Sequence, residues 1–168
     1  MLPLIDTHCH LDADVFSADL AAVVNHAISR QVSAMILPAT TRQRWDKVKE
    51  ISAGQPVIYP AYGLHPCVMR DHRPEDLAFL DQWLTDKSCV AVGECGLDFY
   101  DRQADRNAQI ELFEAQLSLA QQHQLPVIIH ARKSVQEVIT RLKQFNGISG
   151  VLHSYSGSYE QACQLMDL

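Results

Sequence analysis

Nowhere do the 168 residues contain an apolar run approaching the ~18–20 side chains that cross a bilayer as a helix. The first residues reach Asp6 and His8 without a basic or apolar leader, so no secretory signal is expected and the cytoplasm is the expected compartment. No C-x-x-C pair occurs among the five cysteines (Cys9, Cys67, Cys89, Cys95, Cys163). Their odd number and irregular spacing speak against a disulfide framework or zinc ribbon and for a reducing environment. Positive charge is scarce as well: 14 Lys and Arg face 20 Asp and Glu, a net charge of -6. A protein holding nucleic acid chiefly through a basic surface would lean the other way. If the substrate is a phosphodiester, its countercharge must be local, and bound metal ions are the natural source. Also missing are G-x-S-x-G, the P-loop and G-x-G-x-x-G, which leaves serine-hydrolase, NTPase and dinucleotide readings without support. No linker, repeat or low-complexity tract divides the chain, so residues 1–168 read as one domain.

What is present is an alternation of short apolar runs with amphipathic segments. "LIDTHCHL", "AMILPA", "VIYPAYGLHP", "CVAVGECGLD", "PVIIH" and "GVLHSYSGS" read as six strands. Helical spacing follows each: from Ser17 through Leu20, Val23, Val24, Ala27 and Ile28; around Trp45, Val48 and Ile51; and from Pro74 through Leu77, Leu80 and Leu84. The later three are marked by Ile110, Phe113, Leu117 and Ala120; by Val135, Val138, Ile139 and Leu142; and by a Ser158–Gln161 capping box. Near-continuous apolar strands such as "PVIIH" are buried on both faces, which predicts an α/β protein with a parallel sheet.

Residues i and i+2 of a strand share a face, so His8 and His10 could grip one ion from a strand edge, with Asp6 in phase behind them. Position then singles out three more groups. Strand four ends in Glu94, strand five in His130 and strand six in His153, and the carboxyl ends of strands are where α/β barrels carry their chemistry. Carboxylate plus imidazole without thiolate suits Zn, Mn or Mg. Glu94 lies between Gly93 and Gly96, which either admit a close approach or simply make a tight turn, and Asp98 could orient a ligand or loop. His65 in "GLHP" and Arg132, in phase with His130, read as substrate contacts, although a structural salt bridge explains Arg132 equally well. Cys9 and Cys95 are out of phase with their neighbours and read as packing residues. His26, His72 and His123 read as solvated.

The set "IDTHCHLD", "YGLHP", "VGECGLDFY", "PVIIHARKS" and "GVLHSYSGS", in that order, resembles the TatD family of metal-dependent hydrolases from about Leu4 onward. The resemblance implies an amidohydrolase-like TIM-type (β/α)8 barrel holding two divalent ions. His8 and His10 would bind one, His130 and His153 the other, and Glu94 would bridge them. Water activated between the ions would attack a phosphodiester, with DNase or 3′–5′ exonuclease action on DNA, while His65 and Arg132 hold the phosphate. The family's acidic ligand in E-T-D-x-P on strand eight has no counterpart here. Only about six βα units are present where a barrel of this kind typically takes ~250 residues, so a truncated chain with open sheet edges is expected. Such a chain could be an impaired enzyme, a hydrolase of small esters, amides or phosphoesters, or an inactive fragment needing a partner chain or self-association.

Overall fold

The structure is a computed structural model describing residues 2–168. Six parallel strands form one sheet in the order β1 to β6: β1 Leu4–Asp6, β2 Val32–Pro38, β3 Ile58–Tyr62, β4 Ala91–Asp98, β5 Val127–Arg132 and β6 Gly150–Leu152. A helix follows each: α1 Leu20–Ser29, α2 Arg42–Gly54, α3 Asp76–Trp83, α4 Arg106–His123, α5 Val135–Leu142 and α6 Tyr159–Met166. Every strand pairs with its sequence neighbour, the winding of a (β/α) barrel, here with six units and two open edges. Among the described residues no helix is long and apolar enough to cross a membrane.

The core lies between the strands and the helices. Met35 and Leu37 of β2, Tyr62 of β3, Leu97 of β4 and Ile129 of β5 meet Trp45 and Val48 of α2, Phe113 and Leu117 of α4, and Val138 and Ile139 of α5. The helical residues recur at three- and four-residue intervals, so each helix turns one stripe inward. Each fully buried Leu or Phe contributes roughly 1.5–3 kcal/mol. On the other face of the sheet, Ile36, Ala61, Ala91 and Ile128 form a smaller apolar floor.

Burial thins toward both edges, as the open-sheet expectation requires. All three residues of β1 are exposed, Ile5 by 61%, and Val151 of β6 by 45%. Only Val24 of α1 is fully buried, Ile28 is exposed, and α6 buries no residue completely. A helix beside an edge strand has a neighbour on one side only, which is why the apolar stripe read for α1 is half used.

Helix starts differ from the sequence signals at two places. Ser17 closes a 3-10 turn at Asp14–Phe16, and α1 begins only at Leu20 after Asp19. Pro74 precedes α3 rather than occupying its first turn; the Arg73 N–H donates to Asp76 Oδ2 at 2.9 Å instead. The Ser158–Gln161 capping box is present as read, with both reciprocal bonds formed.

Candidate metal centre

The strand ends meet on one side of the sheet, and the carboxylate of Glu94 is the hub. Glu94 is 2% exposed and sits where the β4–β5 pairing slips between Val92 and Cys95. Its N–H donates to Ala39 O at 3.1 Å, across to the end of β2. A bulge of this kind re-aims a side chain, here away from the helices and into the mouth. Glu94 therefore does not end β4, which runs on to Asp98; likewise His130 lies inside β5, which runs on to Arg132.

The two carboxylate oxygens face different imidazoles. Oε2 lies 3.0 Å from His8 Nε2 and 3.4 Å from His10 Nε2. Oε1 lies 3.2 Å from His65 Nε2 and 3.2 Å from His130 Nδ1. His8 and His10 are not strand residues, because β1 stops at Asp6, so alternation along a strand does not place them. Backbone bonds do: His8 N–H donates to Asp6 Oδ1, Cys9 N–H to Ile36 O, and Ala13 N–H to His10 O. Asp6 thus holds the loop rather than a ring nitrogen. His153 follows β6, and its ring stacks on His8 with centroids 3.6 Å apart. The structure thereby gathers His8, Glu94 and His153 on one side, and His65, Cys67 and His130 on the other.

The donors fit divalent cations. His8 Nε2 and His10 Nε2 stand 3.1 Å apart, both turned to one carboxylate oxygen. Two such nitrogens cannot both carry a proton along that line, and a cation shared with Glu94 satisfies both lone pairs. Burial alone would raise the Glu94 carboxyl, but hydrogen bonds from His10, His130, His65 and His8 outweigh it and keep the group ionised far below the usual range. Burial would also lower His130; its bonds with Cys67, Glu94 and Asp98 reverse that and lift it to about 10. The hydrogen bond to Glu94 raises His10. His65 is raised too, its bonds to Cys67 and Glu94 overcoming burial. A cation must displace those protons. In chelator-treated protein, Zn2+ affinity should therefore increase as pH rises from about 6 to 9, with protons released on uptake. Titration calorimetry in buffers of different ionisation enthalpy reads that release; uptake without it would contradict these charge states.

The rim is held from behind by groups the sequence reading passed over. Two glutamines of α4, seven residues apart on its buried face, act as surrogate strands. Gln116 accepts from Leu64 N–H at 2.8 Å and donates to Leu64 O at 3.0 Å; Gln109 does the same for Asp98, at 2.8 and 3.0 Å. Trp45 Nε1 donates to Gly63 O, and Ser134 Oγ to Leu97 O. Polar residues inside an apolar helical stripe were the available signal. Cys67 is the other omission. Its Sγ lies 3.0 Å from Asp98 Oδ2, so the site is not free of thiol as the sequence reading had it. The H-x-C spacing from His65 was its mark.

Arg132 projects from the end of β5 with its guanidinium 3.6 Å from the centre of the Tyr100 ring. Among the described residues no carboxylate pairs with it, so the salt-bridge alternative lapses. Two histidines read as solvated are engaged. His123 lies 2.6 Å from Asp81, and His72 Nε2 lies 2.9 Å from His65 O with its Nδ1 buried and unpartnered. His26 is exposed as expected.

Known proteins share the sequence and the fold of this chain. YjjV of Escherichia coli K12, named as a metal-dependent hydrolase, is 36% identical over 98% of this chain and 64% of its own length. YabD of Bacillus subtilis, named likewise, is 33% identical over 98% of this chain and 66% of its own. The chain thus spans about two thirds of the length of these relatives. The crystal structure of YjjV superposes with a TM-score of 0.93 at 35% identity, covering 98% of this chain and 64% of that one. The phosphotriesterase homology protein of Escherichia coli, at 12% identity and a TM-score of 0.69 over 98% and 67%, shares the fold alone. The family described as TatD related DNase matches residues 5–168, and the chain belongs to it.

Proposed function

We propose that the protein hydrolyses phosphodiesters of DNA, working from the 3′ end, with two divalent ions at the mouth of the sheet. The observation that carries this reading is the division of Glu94: one oxygen faces His8 and His10, the other His65 and His130. His8, His10, Glu94, His130 and His153 are the ligands in this reading, with His153 on the His8 side. These residues would hold Zn, Mn or Mg, which would supply activation of the attacking water and neutralisation of charge on the phosphate.

The remaining work falls to this chain's own side chains. His65 Nδ1 accepts from Cys67 N–H at 3.1 Å, which leaves its Nε2–H to donate toward Glu94 or a phosphate oxygen. Arg132 presents a fork already aligned by Tyr100 and can bind a phosphate through two parallel bonds. A net charge of -6 speaks against holding a duplex chiefly through a basic surface, which favours a chain end, or a small phosphoester as the second reading.

The test uses chelated, reconstituted protein on single-stranded DNA labelled at either end, beside a phosphomonoester and an amide. Ion-dependent loss of the 3′ label supports the proposal. Turnover of the phosphomonoester alone selects the second reading, and no ion-dependent turnover of any substrate refutes both. In the same assay Arg132→Ala should raise KM for DNA by about tenfold or more with little change in kcat, the worth of a charged hydrogen bond. An unchanged KM with a lowered thermal midpoint would make Arg132 structural.

A further inference from the structure

Cys67, Asp98 and His130 form a triangle on the rim, and of the three the ligand set above uses His130 alone. Asp98 Oδ2 lies 3.0 Å from Cys67 Sγ and 2.9 Å from His130 Nε2, and Cys67 Sγ lies 4.0 Å from His130 Nε2. A tetrahedral zinc ion, about 2.3 Å from sulfur and about 2.0–2.1 Å from nitrogen and oxygen, separates such donors by about 3.3–3.6 Å. Each observed edge is within about half an ångström of that spacing, a shift well inside the freedom of side-chain torsions. His130 is oriented for the task. With Nε2 directed to the triangle, its Nδ1–H points to Glu94 Oε1 at 3.2 Å, the carboxylate–imidazole–metal arrangement that fixes a ligand's tautomer.

We propose that Cys67, Asp98 and His130 bind a thiophilic divalent cation, zinc in preference to magnesium, through a cysteine thiolate. This deepens the metal-centre reading and rests on it, because His130 then links the thiolate ion to Glu94. Access supports it: Cys67 is exposed and lines a surface cavity with Asp98, Tyr100 and Arg132. An anion held by Arg132 and an ion held by Cys67 therefore share one opening. On binding, the Cys67 S–H bond breaks heterolytically; sulfur keeps the electron pair for the cation, and the proton leaves to solvent past Asp98. Magnesium gains nothing from sulfur, so the triangle discriminates between metals that carboxylate and imidazole alone would treat more evenly.

The test loads chelator-treated protein with Co2+ and records its absorption. The unaltered chain should show a near-ultraviolet sulfur-to-cobalt charge-transfer band, and Cys67→Ser should lose it while keeping the visible cobalt bands. Zn2+ affinity of that variant should fall by at least ~10–100-fold, with Mg2+ affinity unchanged. A second measurement needs no variant: Zn2+ should slow alkylation of Cys67, located by mass spectrometry, while Mg2+ should not. Cobalt bound without the band, or a band surviving in the variant, overturns the thiolate and leaves the Glu94 centre standing. Equal alkylation with and without Zn2+ does the same. Protein that takes up no divalent ion at all overturns both.

Discussion

Glu94→Gln protein should fold, lose tight divalent-ion uptake and cleave DNA at least ~10²–10³-fold more slowly than the unaltered chain. The substitution keeps size and shape but puts an NH2 donor where an ion needs an oxygen, and it removes the one buried negative charge facing four imidazoles. Equilibrium dialysis against Zn2+ or Mn2+, with activity beside it, reads the change directly. Retained uptake and activity would remove Glu94 from the centre.

The same variant carries a pH signature in chelator-treated protein. Glu94 is held far below its ordinary 4.5, so its share of stability is present above that value and lost as pH falls toward the folded value. His130 is raised from 6.5 to about 10, so its share is complete below 6.5 and lost as pH climbs through about 10. Both shares are complete only between those ordinary values. Urea midpoints of the two proteins should thus differ most near about pH 5–6, and the part of that difference carried by His130 should be lost as pH climbs toward about 10.

Gly96→Ala should lower stability by about 3–5 kcal/mol, a large part of the ~5–15 kcal/mol that a domain possesses. Gly96 has φ +129°, and a Cβ there would stand 2.1 Å from His130 O. The added methyl forces apart β4 and β5 at the level of His130 itself, so ion uptake should weaken in step. Thermal unfolding by circular dichroism should show a midpoint roughly 10 °C lower or more. Gly54→Ala is the control, since nothing lies within 4 Å of its Cβ and the change should be near neutral. Matching midpoints for the two variants would show that β4 and β5 separate at no cost.

Legibility followed the physics of each signal. Parallel strands buried on both faces announce themselves as apolar runs, and "PVIIH" and "CVAVGECGLD" start one and two residues ahead of β5 and β4 and run into them. The residues that meet at the mouth were readable because imidazole and carboxylate in or just beyond apolar strand segments have few other uses, although Glu94 and His130 lie inside β4 and β5 rather than at their ends. Why they meet was not readable. A slip in pairing turns Glu94 inward, and loop bonds rather than strand alternation aim His8 and His10. Neither has a composition of its own. Cys67 escaped because a thiol in a short 3-10 helix (Pro66–Asp71) is chemically mute until Asp98 and His130 stand next to it, and those come from strands some 31 and 63 positions onward. His72 and His123 looked solvated because sequence cannot show a carbonyl or an Asp81 arriving from another element.

Gln109 and Gln116 give the molecule a separation of duties. Their amides grip main-chain atoms of Asp98 and Leu64 and touch none of the imidazoles. The frame is therefore fastened by neutral clasps on one long helix, while the chemistry is hung on it by side chains alone. Donors such as His130 and Cys67, whose side chains bond only other side chains, can be exchanged at that opening without disturbing the path of the backbone beneath them.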